Sequence, residues 1–264
     1  MRAEKIVGTM AARRLLSIFL FAVLASNSVA SDEVATAPVS LKIIVYGATG
    51  RVGSRIVNEA LTRGHQVTAV SRNIARVKQQ HEKLSAVQGD ILDPESVADL
   101  LTGHDVIVVS VRGSSDKSKD PQKTTHRVAA ELLVGVLRDM GDRAPRLIYV
   151  GGAGSLEVAP GVVYADRIPI LMRMMMPRSL RREIKGQQLT LAYLRTVEDI
   201  RWTFLSPAKK LKPGKRTGVY RIGGDQMLTD ENGKSTISME DFAVALIDEA
   251  ENSRHIGTRF SVAY

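Results

Sequence analysis

Leu41-Lys42-Ile43-Ile44-Val45-Tyr46-Gly47-Ala48-Thr49-Gly50-Arg51-Val52-Gly53 is the stretch on which the fold turns. The apolar, β-branched run Leu41, Ile43, Ile44, Val45 and Tyr46 reads as a buried strand. Glycines follow at 47, 50 and 53, and behind them Val52, Ile56, Val57, Ala60 and Leu61 recur on one face of a helix. Strand, tight turn and helix in that order make a cradle for a pyrophosphate. Side chains at the turn would hold the phosphates away from the backbone N–H groups, and the helix N-terminus adds partial positive charge. Glycines alone occur in many turns. It is their place between a strand and an amphipathic helix that points to a dinucleotide. The cradle comprises Gly47, Ala48, Thr49, Gly50, Arg51, Val52 and Gly53.

The spacing is Gly-x-x-Gly-x-x-Gly rather than Gly-x-Gly-x-x-Gly. At these residues the chain resembles the atypical branch of the short-chain dehydrogenase/reductase superfamily. GATGRVG is similar, more narrowly, to the NmrA-like and flavin- or biliverdin-reductase-like NAD(P)H-binding proteins. The resemblance implies a Rossmann fold and a nicotinamide cofactor.

Around that stretch, 264 residues suffice for one large domain. The 44% hydrophobic and 25% charged content is that of an ordinary globular chain. A net charge of +9 suits anionic ligands, nucleic acid or acidic membranes. The basic residues are scattered and only 5% of residues are aromatic, so no stacking array for bases exists and nucleic acid is not the expected partner. With no cysteine, disulfides, thiolate catalysis and zinc–thiolate sites are excluded. No metal site is expected, and the oligomeric state is not readable.

Residues 1–30 read as a signal peptide: Arg13 and Arg14, the apolar run Leu15 to Ala25, and small residues at Ser28-Val29-Ala30. The run is shorter than the roughly 20 residues a bilayer span needs. Export to the periplasm or medium follows if the signal acts, and a cytoplasmic place if it does not; a start at Met10 or later and an uncleaved anchor are the other readings of this segment. Residues 31–40 are a small, polar linker, and 41–264 form a single domain.

From Leu41 strands and helices alternate, the pattern of an α/β doubly wound parallel sheet. Strands are expected at 66–70, 84–88, 105–111, 146–150, 202–205 and 259–264. Helices are expected at 73–83, 94–101, 124–140, 180–196 and 239–251, the last opened by an approximate capping box of Ser238 and Asp241. Residues 220–235 read as a hairpin around Glu231-Asn232-Gly233.

The second strand ends in Ser71-Arg72, where an NAD site places an acid for the ribose 2′-hydroxyl. A carboxylate repels a 2′-phosphate, whereas Ser and Arg can bind one. NADP is therefore the expected cofactor and NAD the alternative, with Arg51 a second phosphate partner. The resemblance implies that Asp90 and Ile91 flank the adenine; Asp90 is equally readable as a turn residue. Ser110, Val111 and Arg112 end the fourth strand, where ligands of open α/β sheets sit. Gly152 keeps the backbone open after the fifth strand, beside Ser155, the one hydroxyl there and the candidate catalytic group. By resemblance Ser206, Pro207 and Ala208 lie against the nicotinamide.

No tyrosine has lysine four residues on: Tyr149 is followed there by Ala153, Tyr164 by Ile168 and Tyr193 by Val197. The proton relay of ordinary short-chain dehydrogenases is missing. An acceptor that needs no strong protein acid, such as a flavin or quinone, fits what remains. A cofactor-binding redox sensor or a scaffold without turnover is the alternative. His126, alone at a helix start, reads first as a surface group, with a place facing the site as the alternative. Residues 169–185 interleave methionines with four arginines. They read first as a core-facing helix with a solvated basic back. The other readings are a lid over a flat anionic acceptor and a membrane-facing patch, so membrane association is the less favoured reading.

Overall fold

The computed structural model describes residues 40–113 and 120–264. The expected signal peptide, and all of the expected linker except Ser40, lie outside the described residues.

Eight strands form one sheet: β1 Lys42–Tyr46, β2 Gln66–Ser71, β3 Leu84–Gln88, β4 Val106–Val109, β5 Arg146–Val150, β8 Trp202–Pro207, β10 Arg221–Gly223 and β12 Thr258–Ala263. Their order is β10-β12-β8-β5-β4-β1-β2-β3. Every pair is parallel except β10 with β12. Two small pairs stand apart: antiparallel β6 Glu157–Ala159 with β7 Val162–Val163, and parallel β9 Lys210–Lys212 with β11 Thr236–Ser238. The helices are α1 Gly53–Thr62, α2 Pro94–Leu101, α3 Thr125–Met140, α4 Ile170–Met175, α5 Arg178–Leu194 and α6 Met239–Asn252. This is a Rossmann fold. β1 lies between β2 and β4, so the chain reverses its winding direction at the β1/β4 crevice, where such sheets bind ligands.

Alternation along β1 divides the core. Ile43 and Val45 pack with Ile56, Val57, Phe242 and Leu246 on the α1/α6 face. Ile44 and Tyr46 pack with Val97, Leu101, Leu133 and Leu194 on the face of α2, α3 and α5. Burial on both faces is why these strands read as near-continuous apolar runs. The helix starts follow local chemistry. Asp93 caps α2 ahead of Pro94, Thr124 accepts from the Arg127 amide, and Ser238 accepts from the Asp241 amide. The second half of the expected capping box is not made, because the Asp241 carboxylate turns to the Thr217 and Gly218 amides.

Two expected elements are corrected. Residues 73–83 are not a helix: only a 3₁₀ turn at Ile74–Arg76 forms, capped by the Asn73 side chain. The segment is polar: Val77 packs against the core but Ile74 is exposed, and that is too little burial to offset helix nucleation. Residues 220–235 are not a hairpin. Glu231-Asn232-Gly233 does turn the chain, with Gly233 at φ +71°. Its flanks, however, pair elsewhere: β10 with β12 at the sheet edge and β11 with β9.

Candidate functional site

The β1–α1 turn is built around contacts that exclude side chains. Gly47 has φ +81°, and a Cβ there would lie 2.3 Å from the Ser110 carbonyl oxygen at the exit of β4. A Cβ on Gly53 would lie 2.2 Å from the Gly47 carbonyl oxygen, whereas Gly50 is tight at 3.1 Å. The Gly50 amide closes the turn on the Gly47 carbonyl at 2.9 Å. No side chain caps α1 and no acid stands in its first turn, so nothing competes with an anion for the partial positive charge there. Ala48 is buried, Thr49 and Gly50 half-buried, and Arg51 exposed.

At the exit of β2, Ser71 is nearly buried. Its hydroxyl donates to the Asn73 carbonyl at 2.9 Å and accepts from the Asn73 amide at 3.2 Å. Arg72 is exposed. The guanidinium groups of Arg51 and Arg72 have no partner among the described residues. Beyond β3, Asp90 accepts from the Leu92 amide at 3.1 Å through one oxygen, and Ile91 packs in the α2/α3 layer. Asp90 is thus a turn residue with a second carboxylate oxygen to spare. Val111 is half-buried and Arg112 exposed at the exit of β4.

The turn after β5 is as tightly packed as the glycine cradle. A Cβ on Gly151 would lie 2.0 Å from the Phe204 ring and one on Gly152 2.0 Å from the Gln187 side-chain oxygen. Ser155 is buried. Its hydroxyl donates weakly to the Gly152 carbonyl at 3.5 Å and accepts from Arg259 at 3.3 Å. The same guanidinium nitrogen reaches the Ser206 hydroxyl at 3.4 Å. Arg259, itself buried and paired with Asp225, therefore brings Ser155 and Ser206 together from behind the turn. Pro207 and Ala208 complete the buried end of β8.

The sequence reading missed a second cluster. His126 is not a surface group: it is 1% exposed. Its Nδ1 lies 3.1 Å from the Tyr149 hydroxyl and its Nε2 lies 2.9 Å from a Glu183 oxygen. The other Glu183 oxygen accepts from the Gly113 amide at 2.6 Å, and Gln187 donates to the carboxylate at 3.2 Å. Burial alone would raise the Glu183 pKa; the hydrogen bonds from His126 and Gly113, with the positive charge of Arg112, outweigh it and hold it below the usual carboxylate range. Burial, reinforced by the Glu183 charge, drives the Tyr149 phenol far above its ordinary value, so it stays neutral. The cluster joins the exits of β4 and β5 to α5. The signal available in the sequence was the i, i+4 pair Glu183/Gln187 on α5, the spacing at which the ordinary enzymes carry Tyr and Lys.

The family model described as NAD(P)H-binding matches residues 47–253. The chain belongs to that NAD(P)H-binding family, of the atypical short-chain dehydrogenase/reductase type, and its fold is that of an oxidoreductase. Three solved structures resemble it over nearly their whole length. A Burkholderia pseudomallei protein provisionally named as exported shares 39% identity, covering 85% of this chain and 100% of the other, with a TM-score of 0.70. A Bacteroides thetaiotaomicron protein provisionally named an epimerase shares 34%, covering 86% and 98%, at 0.74. A Streptococcus pneumoniae protein provisionally named an NADH-flavin reductase shares 32%, covering 85% and 99%, at 0.66. The residues present fit a nicotinamide dinucleotide: the cradle leaves no room for Cβ atoms at Gly47 and Gly53, and the helix start beside it is uncapped.

Proposed function

We propose that the chain is an NADP(H)-dependent reductase whose acceptor is a small conjugated molecule, a flavin or quinone. The observation that carries this reading is the cradle of Gly47, Gly50 and Gly53 with two guanidinium groups, Arg51 and Arg72, that have no partner among the described residues. Bound there, the reduced nicotinamide supplies the hydride. The glycine turn and the N-terminus of α1 hold the pyrophosphate. Arg72, with Arg51, pairs with the 2′-phosphate, and Ser71 shapes the strand exit. Asp90 faces the adenine amino group with its spare oxygen, and Ile91 stiffens the wall behind it. Ser110, Val111 and Arg112 line the middle of the cofactor. Gly152, with Ser206, Pro207 and Ala208, forms the floor under the nicotinamide. Ser155 is the hydroxyl closest in role to a carbonyl-polarising group, although Arg259 already occupies it. With no Tyr-x-x-x-Lys and the Tyr149 phenol sealed in the core, water supplies the proton that a flavin or quinone requires. The S. pneumoniae neighbour's name supports the acceptor class; the epimerase name does not, since epimerases of this fold type rely on the missing relay.

Fluorescence titration with NADPH and NADH tests the reading, followed by loss of reduced-nicotinamide absorbance on adding riboflavin or a soluble quinone. Tighter binding of NADPH is expected, with Arg72→Glu weakening it at least about tenfold, the loss of one charge-assisted contact and the gain of a repulsion. The occupied Ser155 favours a second reading, a sensor that binds NADP without turnover; binding with no absorbance loss across acceptors would establish it. Failure to bind either nucleotide would overturn both.

A further inference from the structure

Ile170, Leu171, Met172, Met174 and Met175 are five of the six residues of α4, and they are 68%, 69%, 59%, 69% and 80% exposed. Leu180, at the start of α5, is 43% exposed. The expectation of a core-facing helix is thereby corrected: this turn of chain presents its apolar side chains to the outside. The prolines that bracket it, Pro169 and Pro177, both sit at φ −52°, so the backbone is restricted at both ends of the turn. Residues 167–182 contain no acid. Arg167, Arg173, Arg178 and Arg181 lie within and beside this apolar stretch in sequence, and none of the four has an ion-pair partner among the described residues. Contiguous exposed apolar surface beside charged residues marks an interaction site rather than an ordinary surface.

We propose that α4 and its neighbouring arginines dock the chain onto an anionic lipid bilayer, the methionine, leucine and isoleucine side chains entering the headgroup–acyl boundary and the guanidinium groups meeting lipid phosphates. The charge pattern selects this occupant. A second copy placed across a two-fold axis would set arginine against arginine, and the net charge of +9 opposes self-association further. An acidic lipid surface neutralises these arginines together. Unbranched, polarisable methionines adapt to a disordered acyl surface better than to a fixed protein pocket. Among the described residues no helix is long and apolar enough to cross a membrane, so the contact is interfacial. The proposal does not depend on the reductase reading.

Sedimentation of the full chain with vesicles tests it. One set is phosphatidylcholine alone; the other carries phosphatidylglycerol as about a third of its lipid, enough for a negative surface potential. Binding to the anionic vesicles is expected, with release as salt is raised and little binding to phosphatidylcholine. Met172→Glu with Met175→Glu, and separately Arg173→Glu with Arg178→Glu, should each weaken binding at least about tenfold. All four side chains are exposed, so the melting temperature should hold and confirm that the variants fold. Absence of binding to anionic vesicles overturns the proposal. So does unchanged binding by both double variants, which would place the contact elsewhere, the apolar run Leu15 to Ala25 included. A lipid-free dimer abolished by the Met variants would overturn it in favour of a second copy.

Discussion

Gly53 stands where only glycine can, with a carbonyl oxygen 2.2 Å from the position a Cβ would take. Its neighbour in that contact, Gly47, adopts a left-handed backbone that side chains rarely reach. Gly53→Ala must therefore push the cradle open from inside. We expect destabilisation of about 1–3 kcal/mol by urea unfolding, the range of overpacked sites, together with NADPH affinity reduced beyond about tenfold by fluorescence titration. Gly50→Ala, at 3.1 Å, should cost less on both counts; equal losses at the two positions would remove the steric reading. The role of Glu183 can be tested by pH. Its folded pKa is depressed, so its carboxylate stabilises the protein above the unfolded value of about 4.3 and the contribution fades as pH falls through the lower, folded value. Glu183→Gln should lower stability by about 1–3 kcal/mol at neutral pH. The gap to the natural protein should close below about pH 4, measured by denaturant unfolding across pH. A gap that persists into acid would assign the loss to packing rather than to charge.

At the scale of elements, the turn after β5 is locked by α5 and β8. Phe204 leaves no space for a Cβ on Gly151, and its ring stacks on Tyr149 with centroids 5.9 Å apart. Gly151→Ala should cost about 1–3 kcal/mol, and combining it with Phe204→Leu should recover part of that loss. Additive losses in the double-mutant cycle would show that the ring is not what excludes the methyl group. Elements of this kind were legible wherever an apolar run met strong end signals. The β1–α1 unit, β4 and α3 stand where periodicity puts them, and α6 stands behind Ser238 where capping chemistry puts it. Segments whose outcome depends on remote partners were not legible. Residues 73–83 have helical composition but too little apolar surface to bury, and Arg221–Gly223 follow the free edge of β12 instead of their own turn. His126 escaped for the same reason: nothing local to Thr125–Arg127 reveals that Glu183 and Tyr149, far along the chain, will close over it. The glycine cradle was readable because its chemistry is local in sequence; the Glu183 cluster was not, because the sheet assembles it.

For the whole molecule, the end of the sheet away from the cradle is held by a buried ion pair. Arg146, at the start of β5, and Glu249 of α6 pair with their side chains 3% and 2% exposed. Arg146 also donates to the Thr203 hydroxyl at 2.9 Å, the Ser253 hydroxyl at 2.7 Å and the Glu249 carbonyl at 2.7 Å. Glu249 takes further hydrogen bonds from the His255 amide at 3.0 Å and ring at 2.6 Å. One pair thus ties together β5, β8, α6 and the segment entering β12. Desolvation lowers the Arg146 pKa, with the Glu249 charge opposing it. If the carboxylate is removed, the guanidinium is left desolvated and uncompensated, a loss of about 3–5 kcal/mol for buried pairs. Glu249→Ala should show that loss in urea unfolding while leaving NADPH affinity near its natural value, because the pair lies at the opposite end of the sheet from Gly47 and Gly53. Arg146→Met with Glu249→Leu should lose less than Glu249→Ala alone, since no charge remains to be stranded. If the double variant instead unfolds as readily as the single one, the network's hydrogen bonds rather than its charge balance hold that end of the sheet. If NADPH affinity falls along with stability, the two ends are coupled through β5, whose far end, Val150, leads directly into the Gly151–Gly152 turn.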